Sequence, residues 1–309
     1  MKPHRLVLVP VLGLALCLFV ASTAQAQRSF VSAANGNDAN PCSRSSPCRS
    51  FDTAINAVGA GGEVVALDSG GYGPIYISKS ITITAPPGVY AAIAVTGPGD
   101  AVDIYAGASD IVVLRGLTLT GGNAGIFWST GGTVQVEDCV LSGGGGITAN
   151  GAGRITVSHT VVRNSSSGVS ISPPSGATAV GTVSHCRFDN INQAAVSVTS
   201  SDASTTALAS VEDCVATASF GTTLRADSYG GRAELNVDRC IVTNSGYGLG
   251  ASVFSGNGPA IVRVSDTTVT HCSIQGIVGF GAGQTLSRGN NTVEGNASNG
   301  SFTGAFSAK

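Results

Sequence analysis

The chain has 309 residues, 42% of them hydrophobic and only 11% charged, with 43 glycines and 16 Lys and Arg against 18 Asp and Glu. A faintly acidic balance without a basic block excludes nucleic acid as the expected partner, and the apolar content excludes a disordered chain. Low charge with abundant Gly, Ser, Thr and Val points to an all-β repeat protein.

At the N-terminus, Lys2 and Arg5 precede an uncharged apolar run from Leu6 to Val20 that ends in Ala24-Gln25-Ala26. This order predicts a secretory signal peptide over 1–26 and a secreted or periplasmic destination. No later stretch is long and apolar enough to predict a membrane span. Residues 27–62 read as an N-terminal cap. Cys42 and Cys48 flank a short Ser- and Pro-containing loop, and export makes a local disulfide between them the leading expectation. Phe51, Ala54, Ile55 and Val58 then recur at helical spacing after Ser50, a candidate N-cap, and before Gly59. They predict one short amphipathic helix covering the open end of a core.

From 63 to 284 the chain repeats itself. The segments VLRGLTL, VQVEDCVL, ITVSHTVV, GTVSHCRF, ASVEDCVA, LNVDRCIV and VRVSDTTV align on Leu117, Cys139, Thr160, Cys186, Cys214, Cys240 and Thr267, spaced 21 to 28 residues apart. A small residue followed by an aliphatic one recurs in each repeat and gives Ile126, Ile147, Val169, Val196, Leu224, Leu249 and Ile277. One such unit cannot bury its own apolar face, whereas stacked units bury it continuously. The expected fold is a right-handed parallel β-helix of roughly nine or ten coils with rungs about 4.8 Å apart. Residues 285–309 lose the repeat and are rich in Asn, Gly and Ser, which predicts a polar cap and tail.

The opening FVSAANGNDANPCSRSSPCRSFDTAINAV, the segments ISKSITIT and IVVLRGLTLTGG, and the ending RGNNTVEGNASNGSF make the chain resemble the pectin-lyase-like β-helix superfamily, and more closely its secreted bacterial repeat proteins. The resemblance implies a right-handed β-helix, export and contact with polysaccharide. The superfamily's enzyme signatures are missing: there is no WxDH segment, no NTD, DD, GHG and RIK set, and no DFIFG. Fold alone supplies no activity.

Several constellations bear on chemistry. Cys139, Cys186, Cys214 and Cys240 share one inward column, where cysteine behaves as a small hydrophobe and a packed thiol stack is favoured over a metal site. Asn164, Asn190 and Asn244 fall at a turn that suits a left-handed backbone and an asparagine ladder, with His271 as a substitute. The sharpest cluster lies in the turn before the cysteine column, where Asp138, His159, His185, Asp213, Arg239 and Asp266 succeed one another beside Glu137, Ser158, Ser184, Glu212, Asp238 and Ser265. Stacking would set Glu212 and Asp238 about 5 Å apart with His185 and Arg239 adjacent. Such a group could serve acid/base work on a glycosidic bond, or hold calcium with other oxygens. The competing expectation is a row of solvated turn residues with complementary signs. Phe127, Trp128, Tyr229 and Tyr247 are candidates for stacking on sugar rings or for packing. The outward column Phe127, Thr148, Ser170, Ser197, Arg225 and Gly250 is too irregular for an ice-binding face. The functional expectation is a non-catalytic polysaccharide- or surface-binding scaffold without a resident cofactor. The alternative is a polysaccharide lyase or glycoside hydrolase acting on a uronic-acid polymer through Glu212, Asp238, His185 and Arg239.

Overall fold

The computed structural model describes residues 27–307; the expected signal peptide and the last two residues lie outside them. Each turn gives one strand to each of three parallel sheets, which hold 12, 10 and 9 strands in the order the chain visits them. One turn consists of Thr133–Glu137, Val140–Ser142 and Ile147–Ala149, and the next of Gly153–Ser158, Val161–Ser165 and Val169–Ile171. Within the strands, inward Val, Ile and Leu alternate with outward Thr, Ser and Gln, the period of two that a pleated strand requires. The architecture is therefore the expected all-β right-handed parallel β-helix with one short helix.

About eight turns carry three strands of three or more residues, slightly fewer than the nine or ten expected. The difference lies at the ends. In the first turn the second-sheet strand shrinks to Gly70–Gly71, and in the last the third side is reduced to a bridge between Ile277 and Gly300. A terminal turn has a neighbour on one side only, so its apolar segments do not all become strands.

The core is a set of stacked columns. Ile126, Ile147, Val169, Val196, Leu224, Leu249 and Ile277 are in register on the third sheet and buried. Burying each such side chain contributes roughly 1.5–3 kcal/mol before the entropic cost of ordering. Trp128 is fully buried, and Gly151 lies against its indole, where a Cβ would clash.

At the N-terminal end, Arg28–Val31 joins the first sheet beside Gly62–Ala66. The helix Phe51–Ala57 begins at Ser50, whose hydroxyl accepts from the Thr53 N–H at 3.3 Å. Its buried Phe51 packs on Tyr72 with ring centroids 4.7 Å apart. The Cys42–Cys48 disulfide closes the loop before it. At the other end, Gln284–Ser287 and Thr292–Glu294 continue the first and second sheets within the segment expected to be polar cap and tail. Asparagines there satisfy the open edge of the last full turn. Asn291 Oδ1 accepts from the Thr267 N–H and Asn296 Oδ1 from the Cys272 N–H, while their amide nitrogens donate to the carbonyls of Val264 and Val269.

The cysteine column has a hydrogen-bonding duty beyond packing. The Sγ of Cys139, Cys186, Cys214 and Cys240 each lies 3.2 Å from the carbonyl oxygen two residues earlier. Thr160 and Thr267 donate to the same carbonyl position with their hydroxyls. The same atoms accept from the preceding turn: Cys139 N–H donates to Thr160 Oγ1, Cys186 N–H to Cys214 Sγ and Cys240 N–H to Thr267 Oγ1. Cys and Thr therefore share the column because both donate, accept and bury well. Cys214→Thr is expected to change thermal stability by less than about 1 kcal/mol, whereas Cys214→Val should cost about 1–3 kcal/mol by leaving the Cys186 N–H unpaired. Thermal melts of the two variants check this.

Asp68 ties the cap to the first turn. Its carboxylate accepts from Ser32 Oγ at 2.5 Å, from the N–H groups of Ala33 and Ala34, and from the Tyr72 hydroxyl at 2.6 Å. Burial alone would raise its pKa, but these donors prevail and hold it at about 2, while burial and then the Asp68 carboxylate push Tyr72 up to about 12. The folded value lies below the ordinary 3.8, so the stabilisation is present above about pH 4 and is lost as pH falls towards 2. Asp68→Asn should lower the melting temperature at pH 7, with the gap from wild type narrowing by pH 2.

Candidate functional site

The charged column sits at the corner between the first and second sheets. Asp138, His159, His185, Asp213, Arg239 and Asp266 all have φ between 45° and 54°, the left-handed region, with Gly116 heading the same column at 72°. The chain must turn there within one residue, and the left-handed residue throws its side chain outward while the following Cys or Thr points in. Asp and His tolerate this backbone better than bulkier residues do. The corner's backbone requirement escaped the sequence reading; Gly116 at the head of the column was its signal.

In-register pairing makes Ser184, Glu212, Asp238 and Ser265 successive partners, so Glu212 and Asp238 are neighbours on adjacent turns. Arg239 binds three carboxylates. Its Nε and Nη2 donate to the two oxygens of Asp213 at 2.9 and 3.0 Å, Nη2 also reaches Glu212 Oε2 at 3.4 Å, and Nη1 donates to Asp238. Ser265 Oγ donates to the other Asp238 oxygen. The Arg239 guanidinium holds Asp213 below the usual carboxylate range, and Asp213 in turn raises the arginine. His185 does not touch Arg239, because Asp213 stands between them. The His185 Nε2 lies 3.8 Å from Asp213 Oδ2, and its ring stacks on His159 at 4.9 Å. The side chains of His185, Glu212, Asp213, Asp238 and Arg239 are about a third to a half exposed, and Ser265 is buried. Arg115 forms a similar pair with Glu137 at the same corner on turns upstream, through Nε at 2.8 Å and Nη2 at 2.7 Å.

A walled part of this flank lies upstream. Between Ile81–Thr84 and Ala91–Val95 the corner is replaced by a longer loop, and Ala85 to Val89 rises beside Arg115, Gly116 and Asp138 to enclose a cleft of about 460 Å³. Among the described residues no group of three or more His, Cys, Asp and Glu is placed to hold a metal ion.

The second corner, before the third sheet, is also left-handed: Asn164, Asn190, Ala218, Asn244 and His271 have φ between 50° and 56°. Asn190 Nδ2 donates to Asn164 Oδ1 at 2.9 Å. Ala218 then interrupts the row, so Asn244 stands apart from that pair, and His271 Nδ1 contacts Thr270 Oγ1. The free thiols Cys139, Cys186, Cys214, Cys240 and Cys272 are all buried. Among the aromatic candidates, Trp128 is core and its Nε1 donates to the Gly131 carbonyl, whereas Phe127 faces outward beside Tyr105. Tyr229 is exposed and stacks on Phe254 at 4.9 Å. No described helix is long and apolar enough to cross a membrane.

A family model described as a right-handed beta helix region matches residues 100–252. The fold is similar to the crystal structure of pectate lyase Pel9A, with a TM-score of 0.61, 14% identity, and coverage of 89% of this chain and 78% of that one. A rhamnogalacturonan lyase aligns with a TM-score of 0.42 and 12% identity over 88% of this chain and 87% of its own. The GH136 lacto-N-biosidase from Eubacterium ramulus aligns at 0.40 and 9% over 88% and 67%. At these identities the likeness is one of fold. No curated protein matches the chain.

Exposed pairs of the Arg239 kind contribute little to stability and are screened by salt. Arg239→Ala is expected to shift the melting temperature by no more than about 2 °C, with the shift vanishing at 1 M salt. Differential scanning calorimetry at low and high ionic strength tests it.

Proposed function

We propose that the chain, which matches a right-handed beta helix region over residues 100–252 and shares its fold with a pectate lyase, is an exported, non-catalytic scaffold that binds extracellular polysaccharide on its flank. The observation that carries the non-catalytic reading is the engagement of Asp213, Glu212 and Asp238 by a single guanidinium. A glycosidase needs one carboxyl that keeps its proton and one that stays ionised, and an adjacent arginine favours the ionised form of every carboxyl it touches. A lyase acting on a uronic-acid polymer needs a free base and a positive environment. Here Glu137, Asp138, Glu212, Asp213, Asp238 and Asp266 outnumber Arg115 and Arg239 along the column, which repels a polyanion.

The Cys42–Cys48 disulfide supports an oxidising compartment, in line with the export signal expected from Ala24-Gln25-Ala26. The cleft beside Pro86 and Pro87, with Arg115 and Asp138 at its floor, and the regular outward columns support contact with an extended polymer.

The test is a polysaccharide panel that includes pectin, alginate and neutral glucans, xylans and mannans. Co-sedimentation would read binding, with 235 nm absorbance and reducing ends reading turnover. The expected result is retention by at least one polymer and turnover of none, with Glu212→Gln and Asp238→Asn retaining both fold and binding. Wild-type turnover that both substitutions abolish would overturn the non-catalytic reading, and failure to bind any polymer would overturn the scaffold.

A further inference from the structure

The outward column of the third sheet opens with Tyr76, Asp103 and Phe127 on successive turns, followed by Thr148 and Ser170. Tyr105 lies two residues after Asp103 and so on the same side of the strand. Its ring is 5.3 Å from that of Tyr76, with planes 22° apart, and 6.1 Å from that of Phe127, inclined at 58°. Tyr76 and Tyr105 are 52% and 39% exposed. Three rings thus line the outward face around one carboxyl, and the steep tilt between the second and third keeps their faces from closing on each other.

The carboxyl at the centre, partly buried, is unlike other partly or largely buried acids of the molecule. Asp189 is served by Arg187 and Thr217, Glu234 by Arg232 and Arg263, and Asp68 by four donors. Asp227 is largely buried but has Arg225 at 3.1 Å. The group that Asp103 meets is a second carboxyl, Asp100, whose Oδ1 accepts from the Ala124 N–H at 2.7 Å. Burial, and after it the Asp100 charge, raise the Asp103 pKa above its ordinary value. Of the basic residues nearest in sequence, Arg115 is held by Glu137 and Lys79 is turned to the Val58 carbonyl. The second aromatic row, Tyr229, Phe254 and Phe280, shows what a packing ladder looks like here. Its rings are 17° and 30° apart, so both pairs use their faces on one another, as Tyr76 does on Tyr105 at 22°; what sets the first group apart is Phe127, inclined at 58°.

We propose that Tyr76, Tyr105, Phe127 and the Asp103–Asp100 pair form a binding subsite for a neutral pyranose unit of a polysaccharide, an assignment that rests on the reading of the protein as a polysaccharide-binding scaffold. The C–H face of a pyranose lies on aromatic rings of this size, and its ring hydroxyls supply donors to the Asp103 carboxyl, which faces Asp100. The sugar is neutral because a uronate would bring a third carboxylate to a patch that holds two and no free cation.

Isothermal titration of the mature protein with cellohexaose, xylohexaose, mannohexaose and hexagalacturonate tests this. At least one neutral hexasaccharide should bind, and hexagalacturonate should bind at least about tenfold more weakly. Tyr105→Ala and Asp103→Asn should each weaken the neutral sugar by about tenfold or more, with Tyr229→Ala, in the packing ladder, leaving it unchanged. A thermal melt separates binding from folding. A raised pKa means that ionised Asp103 opposes folding at pH 7, its favourable contribution being confined to pH below its titration. Asp103→Asn should therefore keep or raise the melting temperature while losing the sugar, and a structural role would lower it. Silence from all three neutral sugars, or wild-type affinity in both Tyr105→Ala and Asp103→Asn, overturns the subsite. Polysaccharide retention that survives Tyr105→Ala would remove the subsite and leave the scaffold standing, while loss of all retention by the wild type would remove both.

Discussion

Each turn of this solenoid is closed by the same device used twice. A residue in the left-handed conformation bends the chain into the next strand, and in most turns a small hydroxyl or thiol residue follows it into the core, with Leu117 and Ile191 as aliphatic exceptions. At the first corner the pairs are Asp138-Cys139, His159-Thr160, His185-Cys186, Asp213-Cys214, Arg239-Cys240 and Asp266-Thr267. At the second they include Asn164-Ser165, Ala218-Ser219, Asn244-Ser245 and His271-Cys272, with Ser165 and Ser245 donating to the carbonyl two residues back as the thiols do. The inward atom also accepts an N–H from the preceding turn at both corners, as Ser245 does from Ser219. The device therefore satisfies the corner's own backbone and fixes one turn above the next. Cys272 belongs to this second set, which explains why it stood outside the column of the other four.

Fixed register has an electrostatic consequence. Any acid repeated at one position of the turn meets its counterpart about 4.8 Å away, close enough for repulsion to matter. Arg239 opposite Asp213 and Arg115 beside Glu137 offset it at the corner, and Arg263 across from Glu234 does so on the sheet. Clusters that look catalytic in a list of residues thus arise from stacking alone. What distinguishes them is whether the signs are already balanced, and at Glu212 and Asp238 the guanidinium lies between the carboxylates.

The sequence was most readable where a column repeats one residue type. The aliphatic positions of the third sheet and the cysteines of the first corner recur with little substitution, because inward space admits few shapes. The corner itself was hidden, since Asp, His, Arg and Gly share no chemistry except a backbone conformation. The number of turns came out too high because terminal repeats have apolar segments without neighbours on both sides. The Asn-rich ending was legible as polar but not as an edge cap, since Asn291 and Asn296 act through geometry set by the preceding turn. The Pro86–Val89 wall departs from the repeat, and alignment of repeats discards what does not recur.

Asp103 was missed for a related reason. Tyr76 and Phe127 reach it from neighbouring turns and Tyr105 from beyond its own strand, so no stretch of sequence displays the group together. Its significance is electrostatic contrast. Along the first corner, Arg115 and Arg239 pair with four of the six carboxylates, and a ligand there would have to break existing pairs. On the opening turns of the third sheet a partly buried carboxyl faces another carboxyl, without a cation, among exposed rings. A Thr or Ser, as at Thr148 and Ser170 in the same column, would meet the needs of the sheet at lower electrostatic cost. An arrangement that the fold does not need, and that leaves hydrogen-bond acceptors open beside apolar faces, is where a polyhydroxylated ligand gains most from replacing water.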